Sequence, residues 1–357
     1  MQRGAGDVFG FYFEYEGEDE HFLGLNEPLG DTLNGFNHDI SGGVNFGGPG
    51  GRGDITIGGR YDKSNNLRGG SGGSASQIDD GDELSVADSG KGDLSSNIGS
   101  RVDNETIEGY LDIIYSPSRI FKLKFGADVE AEEFGGTSSS QNVDTYNIGG
   151  SFFWQATPLV AYGVKYNHRI IDFEKSSSTN DNSNSDQIYL ALNWKISKLI
   201  SSEFAVGFDT KRFDKLSGED REDLVFQIYV KYRPTERTRL SMRAHREIID
   251  SSFGTIQSYV RTSLRLQLVQ KLGKRFRANV MSRFQNRDYQ RSVVDTKGGG
   301  VVRTRVDNTF RGSVAVIYEI QKWLEAKAKY EYRQTFSNFD DKDYRSNVGI
   351  LEISAKY

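Results

Sequence analysis

Residues 324–333 read Leu-Glu-Ala-Lys-Ala-Lys-Tyr-Glu-Tyr-Arg. Leu324, Ala326, Ala328, Tyr330 and Tyr332 share one parity, and Glu325, Lys327, Lys329, Glu331 and Arg333 the other. Successive side chains of a strand point to opposite faces, so the segment predicts a strand with one apolar face and one charged face. The alternation recurs along the whole chain. Phe9, Phe11, Phe13 and Tyr15 share a parity, as do Ile107, Leu111, Ile113 and Tyr115, and Phe121, Leu123, Phe125, Ala127 and Val129. So do Ile188, Leu190, Leu192, Trp194 and Ile196; Leu224, Phe226, Ile228, Val230 and Tyr232; and Phe310, Val314, Val316 and Tyr318. Counted this way the chain holds sixteen strands, an even number, as single-chain bacterial barrels have.

The connections alternate in length. Short ones are expected at 116–119, 155–159, 197–200, 234–236, 271–274 and 321–323, and long ones at 17–34, 62–102, 133–141, 175–185, 214–220 and 289–302. Short turns on one side and long loops on the other are the outer-membrane arrangement, with both termini on the short-turn, periplasmic side. The pattern thus predicts an all-β fold, a closed antiparallel transmembrane β-barrel of about sixteen strands filling one domain over 1–357. Residues 62–102, rich in Gly, Ser and Asp, are expected to form a mobile extracellular loop. A soluble β-sandwich could show the same alternation. Aromatics at strand ends (Tyr61, Tyr115, Trp154, Trp194, Tyr232 and Tyr318) favour the membrane, where amphipathic rings sit at the interfaces.

Composition agrees. Apolar residues are only 36%, against 18 Tyr and 22 Phe. No apolar run approaches the roughly 20 residues a membrane helix needs. There is no cysteine, which suits an oxidising compartment. The first residues carry no apolar leader, so either the chain stays in the cytoplasm or a signal peptide has been removed. The periodicity favours the second, and the bacterial outer membrane, with its lipid and lipopolysaccharide as partners.

Charge is divided unevenly. Residues 221–357 hold 27 Lys+Arg against 15 Asp+Glu, a net of +12; residues 1–220 hold 18 against 35, a net of −17, and the two sum to the chain's −5. If the apolar parity faces lipid, the interior receives Arg239, Arg243, Arg261, Arg265, Arg275, Arg277, Arg283, Arg287, Arg303, Arg305, Arg311, Lys327, Lys329 and Arg333. On consecutive strands these would form one contiguous basic wall. Glu14, Glu16, Asp54, Glu108, Asp112, Asp128, Glu130 and Glu132 would make the opposite wall acidic, across a lumen wide enough for an aqueous channel. Arginine's planar fork binds carboxylate or phosphate through two parallel hydrogen bonds, and ladders of Arg and Lys favour anions in pores. The alternative is that these charges pair with one another and simply keep the lumen polar.

The segment Tyr232-Arg233-Pro234-Thr235-Glu236-Arg237-Thr238 and the ending from Tyr330 to Tyr357, with Asp343-Tyr344-Arg345-Ser346-Asn347 before an alternating strand, resemble the putative β-barrel porin 2 family over roughly 145–357. The resemblance implies an outer-membrane barrel associated with exopolysaccharide genes, and hence passage of an anionic polysaccharide. It brings no catalytic residues with it.

Other chemistry is set aside. His168 has the lipid-facing parity and no Ser two residues on. His245 points inward beside Glu247, a pair more often structural than catalytic. Asp340, Asp341 and Asp343 read as a solvated turn, and Gly47-Gly48-Pro49-Gly50-Gly51 as a tight turn without a phosphate-loop context. No cofactor or metal motif is present, and no nucleic-acid-binding fold. A transport barrel leads, ahead of a structural or receptor-like barrel closed by its loops, with a barrel enzyme a distant third.

Overall fold

The computed structural model describes residues 9–20, 35–47, 52–67, 101–134, 142–174, 181–215, 220–253, 256–295, 301–339 and 342–355. They form β1 (Phe9–Glu20), β2 (Gly35–Gly47), β3 (Gly53–Leu67), β4 (Arg101–Ser118), β5 (Phe121–Phe134), β6 (Val143–Thr157), β7 (Val160–Phe173) and β8 (Ser183–Trp194). β9 (Ile200–Phe213), β10 (Arg221–Thr235), β11 (Thr238–Phe253), β12 (Ile256–Leu272), β13 (Phe276–Asp295), β14 (Val301–Gln321), β15 (Leu324–Ser337) and β16 (Tyr344–Ala355) complete the set. All sixteen belong to one sheet in chain order, each antiparallel to the next. Among the described residues no pairing joins β1 to β16. Most of residues 62–102 lies outside the described residues, although β3 and β4 extend into both of its ends.

The short turns share a local device. Ser118, Thr157, Ser197 and Thr235 each accept, at the hydroxyl, a hydrogen bond from the backbone N–H two residues on. That hydroxyl substitutes for a ladder partner and turns the chain within a few residues. At the β12–β13 turn the task falls to Gly273, whose φ of 73° is left-handed and costs a glycine nothing sterically.

Which parity is covered separates a membrane barrel from a soluble sandwich. A sandwich buries its apolar parity. Here Leu190 is 68% exposed and Phe208 52%, while Asp209 and Lys211 on the opposite face are 0% and 1% exposed. Among the described residues most apolar side chains point outward and most charged ones inward. Tyr115, Trp154, Tyr162, Trp194, Tyr232 and Trp323, all exposed, ring the short-turn end. Cross-strand stacks of Phe121 on Phe152 and Phe276 on Tyr318 strengthen that girdle.

The register is staggered, as a tilted-strand barrel requires. One inward row starts at Gln155, at the short-turn end of β6, and passes through Ala161, Asn193, Glu203 and Tyr229. It continues through Arg243, Arg265, Arg283, Arg311 and Arg333 to Ser346, near the opposite end of β16. Side chains also meet across the curved inner surface. Arg221 on β10 donates to the Tyr289 carbonyl on β13, 3.2 Å away.

Candidate functional site

The inward cations divide by height. Near the short turns, Arg239, Arg243, Arg265, Arg277, Arg283, Arg311, Lys327 and Lys329 are partly open to the interior. Toward the other end, Arg169, Lys211, Arg261, Arg287, Arg305 and Arg333 are buried. Lys231, buried near the short-turn end of β10, is the exception. The β7–β15 wall therefore lines a basic vestibule at the short-turn end and closes above it into a packed roof.

The roof is built from matched pairs. Arg261 meets Glu247 at 2.6 Å, and His245 Nε2 lies 3.1 Å from the same carboxylate. Arg305 donates to both oxygens of Asp307, at 3.0 and 2.6 Å, and the Ser337 hydroxyl donates to Asp307 as well. Asp209 accepts from Ser185 and Gln187. Aromatic rings fill the gaps: Tyr259 packs on Tyr289 and on Ile249, Arg305 lies 4.6 Å over the Tyr289 ring and Arg287 5.9 Å over Tyr259. Buried charges persist only when paired and hydrogen-bonded, and these are.

At the roof the β10–β11 ladder stops, its last pair being Phe226 with Arg246. Arg246 stands in for the missing rungs, donating from Nε to the Leu224 carbonyl and from its terminal nitrogens to Asp223 and Thr262. Beyond it residues 247–249 and 258–261 are all buried, outward-facing Ile248 and Val260 included. Both faces of the β11–β12 end are covered by protein, so this end is not lipid-facing wall.

The N-terminal wall differs. From β1 to β5 no described side chain is buried. Gly43, Gly58 and Gly126 take inward positions there, beside Asp112, Asp128, Glu108 and Glu130. Glu108 and Glu130 stand directly opposite each other, with Arg60 across from Glu108. The inner face of this wall is thus glycine-thinned and acidic.

Arg243, Arg265, Arg283, Arg311 and Arg333 follow one another across β11–β15, but carboxylates are set into this basic wall: Glu247, Asp307, Glu331 and Glu352 share the arginines' parity and pair with Arg261, Arg305, Arg311 and Lys327. One expectation needs correction. Arg275 lies in an exposed turn outside β13 and lines nothing. Arg303 lies on β14, in backbone register with Val293 on β13. Arg246 and Arg221 were missed, although an arginine on the apolar parity of Leu240 and Met242 is a legible signal.

Among the described residues no group of three or more His, Cys, Asp or Glu side chains is arranged to hold a metal ion. His168 bonds Asp186 at 2.9 Å on the outer face, with Tyr166 donating to the same oxygen.

The model of the family described as putative beta-barrel porin 2 matches residues 135–357. The chain belongs to this family. Porin family membership and the inverted barrel surface point to the bacterial outer membrane. Solved structures of the FrpB iron transporter from Neisseria meningitidis share the fold. Its F3-3 variant aligns with a TM-score of 0.53 at 12% identity over 96% of this chain, and an F5-1 variant structure with 0.55 at 11% over 96%. The chain spans less than two thirds of those structures, 62% and 63%. No curated protein matches closely enough to count as a relative.

Proposed function

We propose that this porin-family barrel is an outer-membrane conduit whose basic vestibule draws anionic solutes, an anionic polysaccharide among them, toward a constriction. The observation that carries the proposal is that the inward cations near the short turns are partly exposed, whereas most of those toward the other end are buried. Partly exposed positive charge therefore faces the interior where a solute would enter from the short-turn side. Guanidinium groups closer together than the Debye length, about 8 Å at physiological salt, reinforce one another's field.

Reconstitution in a planar bilayer tests it. A steady current is expected, with a reversal potential under a KCl gradient that reports anion preference. Replacing Arg265, Arg277 and Arg283 together with Gln should reduce that preference, and raising the salt should weaken it by screening. A cation-preferring parent pore would mean that the acidic N-terminal wall sets the field.

The packed roof favours a second reading, a barrel shut at its loop end that works through protein partners. Silence in the bilayer would support it. Both readings place the short turns in the periplasm. A cysteine at Asp214 should then react with an impermeant maleimide on intact cells, and one at Glu236 should not; labelling at Glu236 would invert the orientation.

A further inference from the structure

Short turns carry the chain from β4 to β5, β6 to β7, β8 to β9, β10 to β11, β12 to β13 and β14 to β15. Residues 116–120, 155–159, 195–199, 233–237, 271–275 and 321–323, which make these turns, include nine Lys or Arg, all exposed, and a single carboxylate, Glu236. Glu319 and Glu325, opposite each other at the end of β14–β15, are only partly exposed. Among the described residues the side chains of Lys198, Lys274 and Lys322 make no salt bridge. Five of the six turns also expose an apolar side chain: Ile120, Leu159, Leu199, Leu272 and Trp323. The aromatic girdle with Trp154, Trp194 and Tyr232 lies beside them. At the long-loop end the exposed charges have both signs, with Asp172, Glu174, Asp214 and Glu222 as well as Arg212 and Lys215.

We propose that the short-turn rim is a contact surface for anionic phospholipid, its basic side chains meeting headgroup phosphates and its apolar turn residues entering the edge of the bilayer. The inference requires a barrel in a bilayer with its short turns at one interface, and holds whether or not that barrel conducts. Amphipathic rings mark where the interface lies, and here they adjoin the turns. Lys and Arg lay their methylene stems along apolar surface and keep the charged end at the headgroups. Elements that mix basic and apolar side chains bind a membrane surface through buried apolar area together with attraction to anionic lipid. That attraction fades within a Debye length, about 8 Å at physiological salt, so the lipids selected are those touching the rim. A hydrated anion on its way into the vestibule would use the charge and gain nothing from Leu159, Leu199 or Trp323.

The chain's three tryptophans, Trp154, Trp194 and Trp323, all lie at this rim, so their fluorescence reads the lipid beside it without a label. The barrel is reconstituted in phosphatidylcholine vesicles holding equal fractions of either brominated phosphatidylglycerol or brominated phosphatidylcholine. Quenching should report a preference of at least threefold for phosphatidylglycerol, lowered by high salt. Lys198→Gln, Lys274→Gln and Lys322→Gln together should bring the two lipids to near equality. The same three positions changed to Arg should keep the preference, and Arg212→Gln with Lys215→Gln, at the opposite end, should leave it unchanged. Strand content by circular dichroism identifies folded variants. Equal quenching by the two lipids in the parent, or an unchanged preference in the triple Gln variant, overturns the proposal. A triple variant that keeps its lipid preference but loses anion preference in the bilayer current would also overturn it, and would assign these cations to the mouth of the vestibule.

Discussion

A protein with Asp307→Ala should unfold at a clearly lower temperature than the parent, while its strand content at room temperature stays the same. Asp307 is 1% exposed, and its carboxylate takes two hydrogen bonds from Arg305 and one from Ser337. Removing it strands a buried guanidinium. Breaking one half of a buried pair costs about 3–5 kcal/mol, because the remaining charge is uncompensated. Replacing both members, as in Asp307→Ala with Arg305→Leu, should recover much of the loss, since the pair's net contribution is far smaller than the cost of breaking it. Thermal unfolding followed by heat-dependent gel mobility reads both. If the single variant melts with the parent, the roof is wet and the pair is screened by water.

The second large effect concerns the outer face. Ile228 has the outward parity on β10, between Phe204 on β9 and Ala244 on β11, and adjacent Gln227 faces inward opposite Ala205 and His245. Ile228→Arg puts a charge near the middle of the lipid band, where it costs about 2–4 kcal/mol. Gln227→Arg adds the same side chain one residue away, in an interior that already holds Glu247 and Asp209, and should be mild. The comparison uses denaturant midpoints in lipid vesicles. A larger loss from Gln227→Arg would reverse the assignment of faces.

The sequence made these faces legible because a strand's period of two is imposed by the backbone, so Leu224 through Tyr232 needed no tertiary information. Turn positions were legible for a similar reason: Ser197 and Thr235 carry hydroxyls that bond backbone two residues on. Register is different. Parity puts Arg265 and Arg283 on one face, but only the turn geometry decides that they stand opposite each other rather than two residues apart. The roof was harder still. Its carboxylates lie on the arginines' own parity, yet Arg305 finds Asp307 along one strand, and Arg261 finds Glu247 across a pair. Strand ends were shortened for the same reason. Ser183–Ser185, at the start of β8, are polar, and hydrophobic alternation fades where polar partners such as Asp209 take over the packing.

The stagger of the sheet gives the arginine row a direction. Arg243 stands close to the start of β11, whereas Arg333 lies well up β15. The line of charge therefore climbs as it goes round the wall, like the thread of a screw. The positive charge on this wall is therefore an oblique line and not a level ring, so each strand carries its arginine at a different height.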